Sequence, residues 1–310
     1  MEKRVDIIML TCNQKEMVKK CLSSLKQNTD YKNYAVHLAD DSGTNYLGNE
    51  IKRLFPWVKF NPNLEHMGYS KTLNIAMKRV IKEYSPDYLL LLNDDMEFIQ
   101  KDWLTKMVKA LESEEKVGIV SCKLVYPEGY LQWFFKDGKM NFIKTREEAK
   151  NIEETKDTFY TVEVDNVIGA CVLMKKRVID EIGYYDEGFS PLYGEDTDFC
   201  LRAGKKGFKL LYVGDTKIVH YNGGFFDKKE IVFNENKWHL QKSHGIRLEW
   251  LNFSVGKIIK LTVIHFGSAI FSKHIFKNLK LLFRAYKDNF NNLKEIRSKR
   301  RERNTWTRLY

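Results

Sequence analysis

The chain of 310 residues is 43% hydrophobic and 30% charged, with five prolines, an ordinary globular composition with enough length for one large or two modest cores. No apolar run reaches about eighteen residues, which excludes a membrane-spanning helix. The net charge of +11 is uneven: residues 225–310 hold 19 Lys+Arg against 7 Asp+Glu, and the other 224 hold 33 against 34. A near-neutral body with a basic tail points to an anionic partner for the tail.

"VDIIMLT" (5–11) reads as a first strand, so the N-terminus shows no signal peptide and the chain is expected in the cytoplasm. The following "KEMVKKCLSSLKQN" is amphipathic, with Met17, Cys21, Leu22 and Leu25 on one stripe. "YAVHLAD" (34–40) and "WVKF" (57–60) are further strands, and 69–83 returns to helical period through Leu73, Ala76, Val80 and Ile81. "YLLLL" predicts a strand buried on both faces, followed by a helix near 101–112 and the strand "VGIVSCKLVY" (117–126). This alternation predicts a mainly parallel sheet flanked by helices, with ligands beyond the carboxyl ends of its strands. Residues 127–160 lack periodicity and read as an insertion or long loop, with Trp133, Phe134 and Phe135 either selecting an acceptor or joining the core. A second block runs from "TVEVD" (161–165) to "KIVHYNGG" (217–224). Three of the five cysteines (Cys12, Cys21, Cys122, Cys171, Cys200) sit in apolar runs and none forms C-x-x-C, which predicts buried free thiols.

No P-loop, no G-x-G-x-x-G after the first strand and no zinc signature is present. Instead, acids end the strands: Asp40 and Asp41 close one, and Asn93, Asp94 and Asp95 close another, all on one rim. Adjacent carboxylates repel and are costly to bury. A Mg²⁺ or Mn²⁺ ion that in turn neutralises a diphosphate would relieve them, whereas a solvated turn or a helix cap is the plainer explanation. Glu195, Asp196 and Asp198 open an amphipathic segment just after Gly194, where a helix dipole favours acids and a carboxylate can serve as general base to a sugar hydroxyl. His220 ends the strand "KIVH" beside a glycine-rich run, as a structural residue or as a metal or phosphate ligand.

In order and spacing these features resemble the family 2 inverting glycosyltransferases with the GT-A fold, over roughly residues 5–224. The matching segments are Thr11-Cys12-Asn13, "ADDSG", "HMGYSKTLN", "NDD", "IGACVLMKK" and, most specifically, "GYYDEGFSPLYGEDTDFCLR". Two positions depart from the pattern: Asn93 stands where many members have Asp, and His66 where Asn is common. The resemblance implies a Rossmann-like nucleotide-diphospho-sugar transferase domain (1–224) and a basic helical C-terminal extension (225–310). It implies donor binding by Thr11, Asn13, Asp40, Asp41, Gly68, Lys71, Asn74, Asn93 and Asp94, with Asp40 on the nucleobase. A divalent cation would lie on Asp95, with His220 as a further ligand. Asp196, beside Glu195, would be the base.

The reaction implied is a single displacement from a UDP-, dTDP- or GDP-sugar to a glycan or lipid-linked hydroxyl, with inversion, in cell-surface polysaccharide synthesis. A sugar-phosphate nucleotidyltransferase would need a glycine-rich signature that "TCNQKEMVKKC" lacks, and a non-catalytic binding relative would lose Asp95 or Asp196. No nucleic-acid motif is recognisable in the tail. Its stripe of Ile275, Phe276, Leu279, Leu282, Phe283, Tyr286, Phe290 and Leu293, flanked by lysines, suits a helix on the inner face of a membrane or one packed on the body or a second subunit.

Overall fold

The computed structural model describes residues 2–136, 139–143, 146–152, 156–221 and 235–306. The N-terminal run forms β1 (Val5–Thr11), and α1 (Lys15–Gln27) behind it buries Val18, Cys21, Leu22 and Leu25, one face of a helix. Val18 takes the buried place expected for Met17, which is only partly covered. The series continues through β2 (Tyr34–Asp40), α2 (Gly48–Leu54), β3 (Val58–Pro62), α3 (Tyr69–Tyr84) and β4 (Tyr88–Asn93). Ser85 ends α3 in a left-handed conformation, and Pro86 cannot continue the helix.

β5 (Met96–Phe98), α4 (Trp103–Leu111) and β6 (Val117–Val125) follow, then the hairpin of β7 (Trp133–Lys136) and β8 (Lys139–Phe142). After short helices α5 (Arg146–Lys150) and α6 (Lys156–Phe159) come β9 (Thr161–Val164), β10 (Cys171–Lys175), α7 (Lys176–Ile182), α8 (Glu195–Lys205) and β11 (Lys209–His220). The expected loop at 127–160 is therefore structured over its described residues. Leu131, Ile143 and Ala149 bury a small apolar cluster with Val125 and Val219, which periodicity over such short pieces does not reveal. Trp133 joins the main core, and the side chains of Phe134 and Phe135 lie outside the described ones. The glycine-rich run 222–224 and the boundary at 224/225 also lie outside the described residues.

The main sheet has the order β3-β2-β1-β4-β10-β6-β11-β5, with β9 also pairing β11. It is mostly parallel, but β10 runs antiparallel between β4 and β6, and β5 and β9 run antiparallel to β11. Leu89 to Leu92 of β4 are buried, as a strand covered on both faces requires. Their packing fixes the rim that follows.

The C-terminal extension is helical: α9 (Glu235–Asn252), α10 (Val255–Ile270), α11 (Ile275–Asn291) and α12 (Leu293–Trp306). α9 and α12 clamp the body. Phe189 packs with Leu251 and Ile296, while Asp186 accepts from Arg247 (2.9 Å), Lys299 (2.7 Å) and Arg303 (3.1 Å). Asp198 accepts from Arg202 and Asn252, each at 2.9 Å, and from Arg303. Part of the tail's positive charge is thus spent on the body. The apolar stripe expected over 275–293 is divided: Leu282 and Tyr286 turn inward onto Ile246 and Ala269, while Phe276, Phe283 and Phe290 face out. Among the described residues no helix is long and apolar enough to cross a membrane.

Candidate active site

A cavity of about 460 Å³ opens at the carboxyl ends of β1 and β4. Thr11 and the run Asn93–Asp95 form its floor, His66 to Tyr69 and Pro191 to Asp196 its flanks, and Gly169 and Ala170 its back. Two loops meet over it. The Tyr69 amide donates to the Pro191 carbonyl at 2.9 Å, and Gly68, at φ +83°, sits so close that a Cβ would come within 3.0 Å of Pro191 Cα.

On the floor, the Thr11 hydroxyl donates to Asp94 Oδ2 at 2.5 Å. Burial, with the Asp95 and Asp40 charges, nevertheless pushes the Asp94 carboxyl up to about 7. Pairing of β11 with β5 sets His220 opposite Met96 and so beside Asp95, with His220 Nε2 3.1 Å from Asp95 Oδ1. Gln132 fixes the ring. Its Nε2 donates to the His220 carbonyl, so its Oε1 faces Nδ1 at 2.7 Å and accepts that proton. In the neutral ring, Nε2 then turns a lone pair towards a carboxylate oxygen, an arrangement relieved by a proton or a cation. Among the described residues no three His, Cys, Asp or Glu side chains form a ready metal cage. Asp95 and His220 offer two adjacent ligands, which suits a cation that takes its remaining positions from phosphate and water.

Across the cavity, Glu195 and Asp196 open α8 after Gly194, whose φ of +94° makes the sharp entry. Asp196 Oδ1 accepts from the Thr197 amide at 2.7 Å and Oδ2 from the Gly169 amide at 3.3 Å. Tyr69 Oη donates to the Gly169 carbonyl at 3.1 Å and holds that strand end in place. Glu195 Oε2 is buried with no hydrogen-bond partner among the described residues. Burial pushes both carboxyls up, and for Glu195 the neighbouring Asp196 charge adds to it. Since Asp196 receives more donors, the pair holds its proton on Glu195 and leaves Asp196 ionised.

Of the residues singled out in the sequence, Thr11, Asp41, Gly68, Asn93, Asp94, Asp95, Glu195, Asp196 and His220 line this cavity, and Asn13, Asp40, Lys71 and Asn74 do not. Lys71 and Asn13 are exposed. Asn74 instead clamps the chain before α8: its amide donates to the Tyr185 carbonyl and accepts from the Tyr185 amide. Asp41 is consumed by its own loop, accepting from the amides of Met67 and Gly68 and from Thr72 and Asn63. Asp40 is fully buried; one oxygen accepts from Ser42 and the other has no partner among the described residues. Asp198, next to the acid pair, belongs to the tail clamp. Gln132, Tyr69, Gly169 and His244 were not singled out as functional residues. His244 Nδ1 lies 2.9 Å from both the Leu192 and Tyr193 carbonyls, so the extension braces the cavity wall.

Residues 6–183 match the model of the family described as glycosyl transferase family 2. The O-antigen biosynthesis protein RfbC of Myxococcus xanthus is 25% identical over 236 residues, which are 70% of this chain and 17% of that protein. The rhamnosyltransferase WbbL of Escherichia coli is 24% identical over 249 residues, 77% of this chain and 90% of that protein. Two solved structures share the fold. GalNAc-T7 with UDP, GalNAc and Mn²⁺ has a TM-score of 0.62 at 14% identity, covering 94% of this chain and 57% of its own. The mannosyltransferase PcManGT from Pyrobaculum calidifontis, with GDP-Man and Mn²⁺, has 0.58 at 14%, covering 99% and 84%. A family match over more than half of the chain, on a GT-A scaffold with its acids gathered at the strand ends, shows that the chain belongs to glycosyl transferase family 2.

Proposed function

We propose that the chain is an inverting glycosyltransferase that moves a hexosyl or deoxyhexosyl group from a nucleoside-diphosphate donor to a hydroxyl of a glycan or lipid-linked acceptor during polysaccharide synthesis. The observation that carries this reading is the facing of two unlike acid groups across one cavity: Asp94, Asp95 and His220 on the floor, Glu195 and Asp196 on the wall. The first set suits a diphosphate, the second a hydroxyl.

In the proposed reaction the acceptor oxygen bonds the anomeric carbon on the face away from the diphosphate. Asp196, held by the Gly169 and Thr197 amides, takes the hydroxyl proton. The bond from the anomeric carbon to the phosphate oxygen breaks, its electrons leave with the nucleoside diphosphate, and the configuration inverts. Glu195 keeps its own proton, so a single carboxylate performs proton transfer, unlike the two of glycoside hydrolases. Asp95 and His220 would hold Mg²⁺ or Mn²⁺, with Asp94 beside them, and that ion would neutralise charge on the leaving group. Asp40, with one unspent oxygen, remains the candidate for the nucleobase, and Asp41 holds the loop that borders it.

A panel of UDP-, dTDP- and GDP-sugars with Mn²⁺ or Mg²⁺ tests the reading, scored by thermal stabilisation and slow donor hydrolysis. Stabilisation by one nucleotide class that requires metal and disappears in Asp95→Ala is expected. Absence of any response, with or without metal, contradicts the donor site.

A further inference from the structure

The extension has one surface that neither the body nor the proposed reaction uses. Along α10, Val255, Ile259, Val263 and Ile270 recur at helical spacing on an outward face, with Ile264 beside them, and all are exposed. Val263 is 68% exposed, and the turn into α11 adds Phe271 at 91% and Phe276 at 89%. Scattered apolar residues on a surface are ordinary, but a contiguous helical face of aliphatic and aromatic residues marks a contact site. The inner faces of α10 and α11 are already satisfied by Ala269, Leu282, Ala285 and Tyr286.

Charge indicates what covers the outer face. From Trp250 to Lys287 the sequence contains no Asp or Glu and seven Lys/Arg. These seven (Lys257, Lys260, Lys273, Lys277, Lys280, Arg284 and Lys287) are exposed. Lys277 reaches Glu235 at 2.7 Å, at the start of α9. A second copy docking on this face would set the same cations against one another. A polyanion such as RNA would meet the cations but gain nothing from Val263 or Phe271. A bilayer with anionic headgroups takes both, the apolar face entering the acyl boundary and the lysines staying among the phosphates.

We propose that the α10–α11 hairpin is a peripheral anchor that lies in the surface of an anionic membrane, seated through Ile259, Val263, Ile264, Ile270, Phe271 and Phe276. The docking face is thus the outer side of α10 and the turn, rather than the inward half of the 275–293 stripe. It lies flat, because no described helix is long and apolar enough to cross. The anchor is independent of the transfer reaction, and its test uses no substrate.

The full chain is floated with phosphatidylcholine vesicles, with and without phosphatidylglycerol. Flotation only with the anionic vesicles is expected, with release at about 1 M salt, where the screening length falls to about 3 Å. Removing Lys273 or Lys280 weakens binding roughly fivefold each. Val263→Asp with Phe271→Asp abolishes it at unchanged melting temperature, since both side chains already face outward. In Phe271→Trp, the tryptophan emission shifts to the blue on adding anionic vesicles. The proposal is overturned if the folded chain ignores anionic vesicles and the Phe271→Trp emission does not move. It is also overturned if Val263→Asp with Phe271→Asp instead disperses a dimer, or if RNA binds with an affinity that those changes leave intact.

Discussion

Two kinds of buried carboxylate alternate along one short segment, "DEGFSPLYGEDTD". Asp186 and Asp198 are spent: each is enclosed by cations from the extension, and the charges of Arg247 and Lys299 hold Asp186 far below the ordinary carboxylate range despite its burial. Glu195 and Asp196 are unspent, with no cation bonded to either, and burial pushes both up. A carboxylate with a full set of partners stabilises the fold and has no capacity left for a ligand. One that stays buried without a cation costs stability and is free to move a proton. What separates the two sets is the direction each side chain faces: Asp186 and Asp198 look towards α9 and α12, and the acid pair looks into the cavity.

The largest expected effect breaks the second set. Asp196→Asn lowers turnover by about 10²–10⁴-fold, measured as donor hydrolysis or transfer, while donor-dependent thermal stabilisation persists. Breaking the first set has the opposite profile. Asp186→Asn leaves Arg247, Lys299 and Arg303 without their shared acceptor and costs about 3–5 kcal/mol, read by urea unfolding, with donor binding per folded molecule retained. A smaller effect comes from Gln132→Leu, which frees the His220 ring and weakens nucleotide-dependent Mn²⁺ binding about 10–100-fold, measured by electron paramagnetic resonance. Gln132→Glu keeps the oxygen that accepts from Nδ1 and retains more of that binding.

The smallest effect sharpens the comparison through pH. In the native state Glu195 keeps a proton that the unfolded chain releases near its ordinary value, so its contribution to stability falls as pH rises from there to about 8. Glu195→Gln therefore raises the melting temperature at pH 8 and leaves it nearly unchanged at pH 4. Asp186 has the reverse sign: its contribution is present above the ordinary Asp value and is lost as pH falls through its depressed one.

Much of this site was legible in the sequence because strand-end acids announce themselves. A hydrophobic run such as "YLLLL" fixes where its strand stops, and Asp94 and Asp95 follow at once. Direction and pairing were not legible, since period reveals a strand without its partner. For that reason β10 reads as one more parallel strand, and nothing in the sequence sets His220 next to Asp95. Gln132 carries no local signal, because its role depends on a contact 88 positions away in a segment without period. Asn74 misleads for the same reason: its place on α3 is clear, but its partners at Tyr185 are a matter of tertiary packing. The outward face of α10 was obscured by the stronger stripe of α11, half of which the fold turns inward.

The most direct test of the division between spent and unspent acids is a ¹³C NMR titration of the side-chain carboxyl groups, assigned with Glu195→Gln and Asp186→Asn. The structure predicts that Glu195 titrates near 8 and that Asp186 stays ionised to the lowest pH the fold tolerates. If both instead titrate in the ordinary carboxylate range, the division and the roles built on it are contradicted.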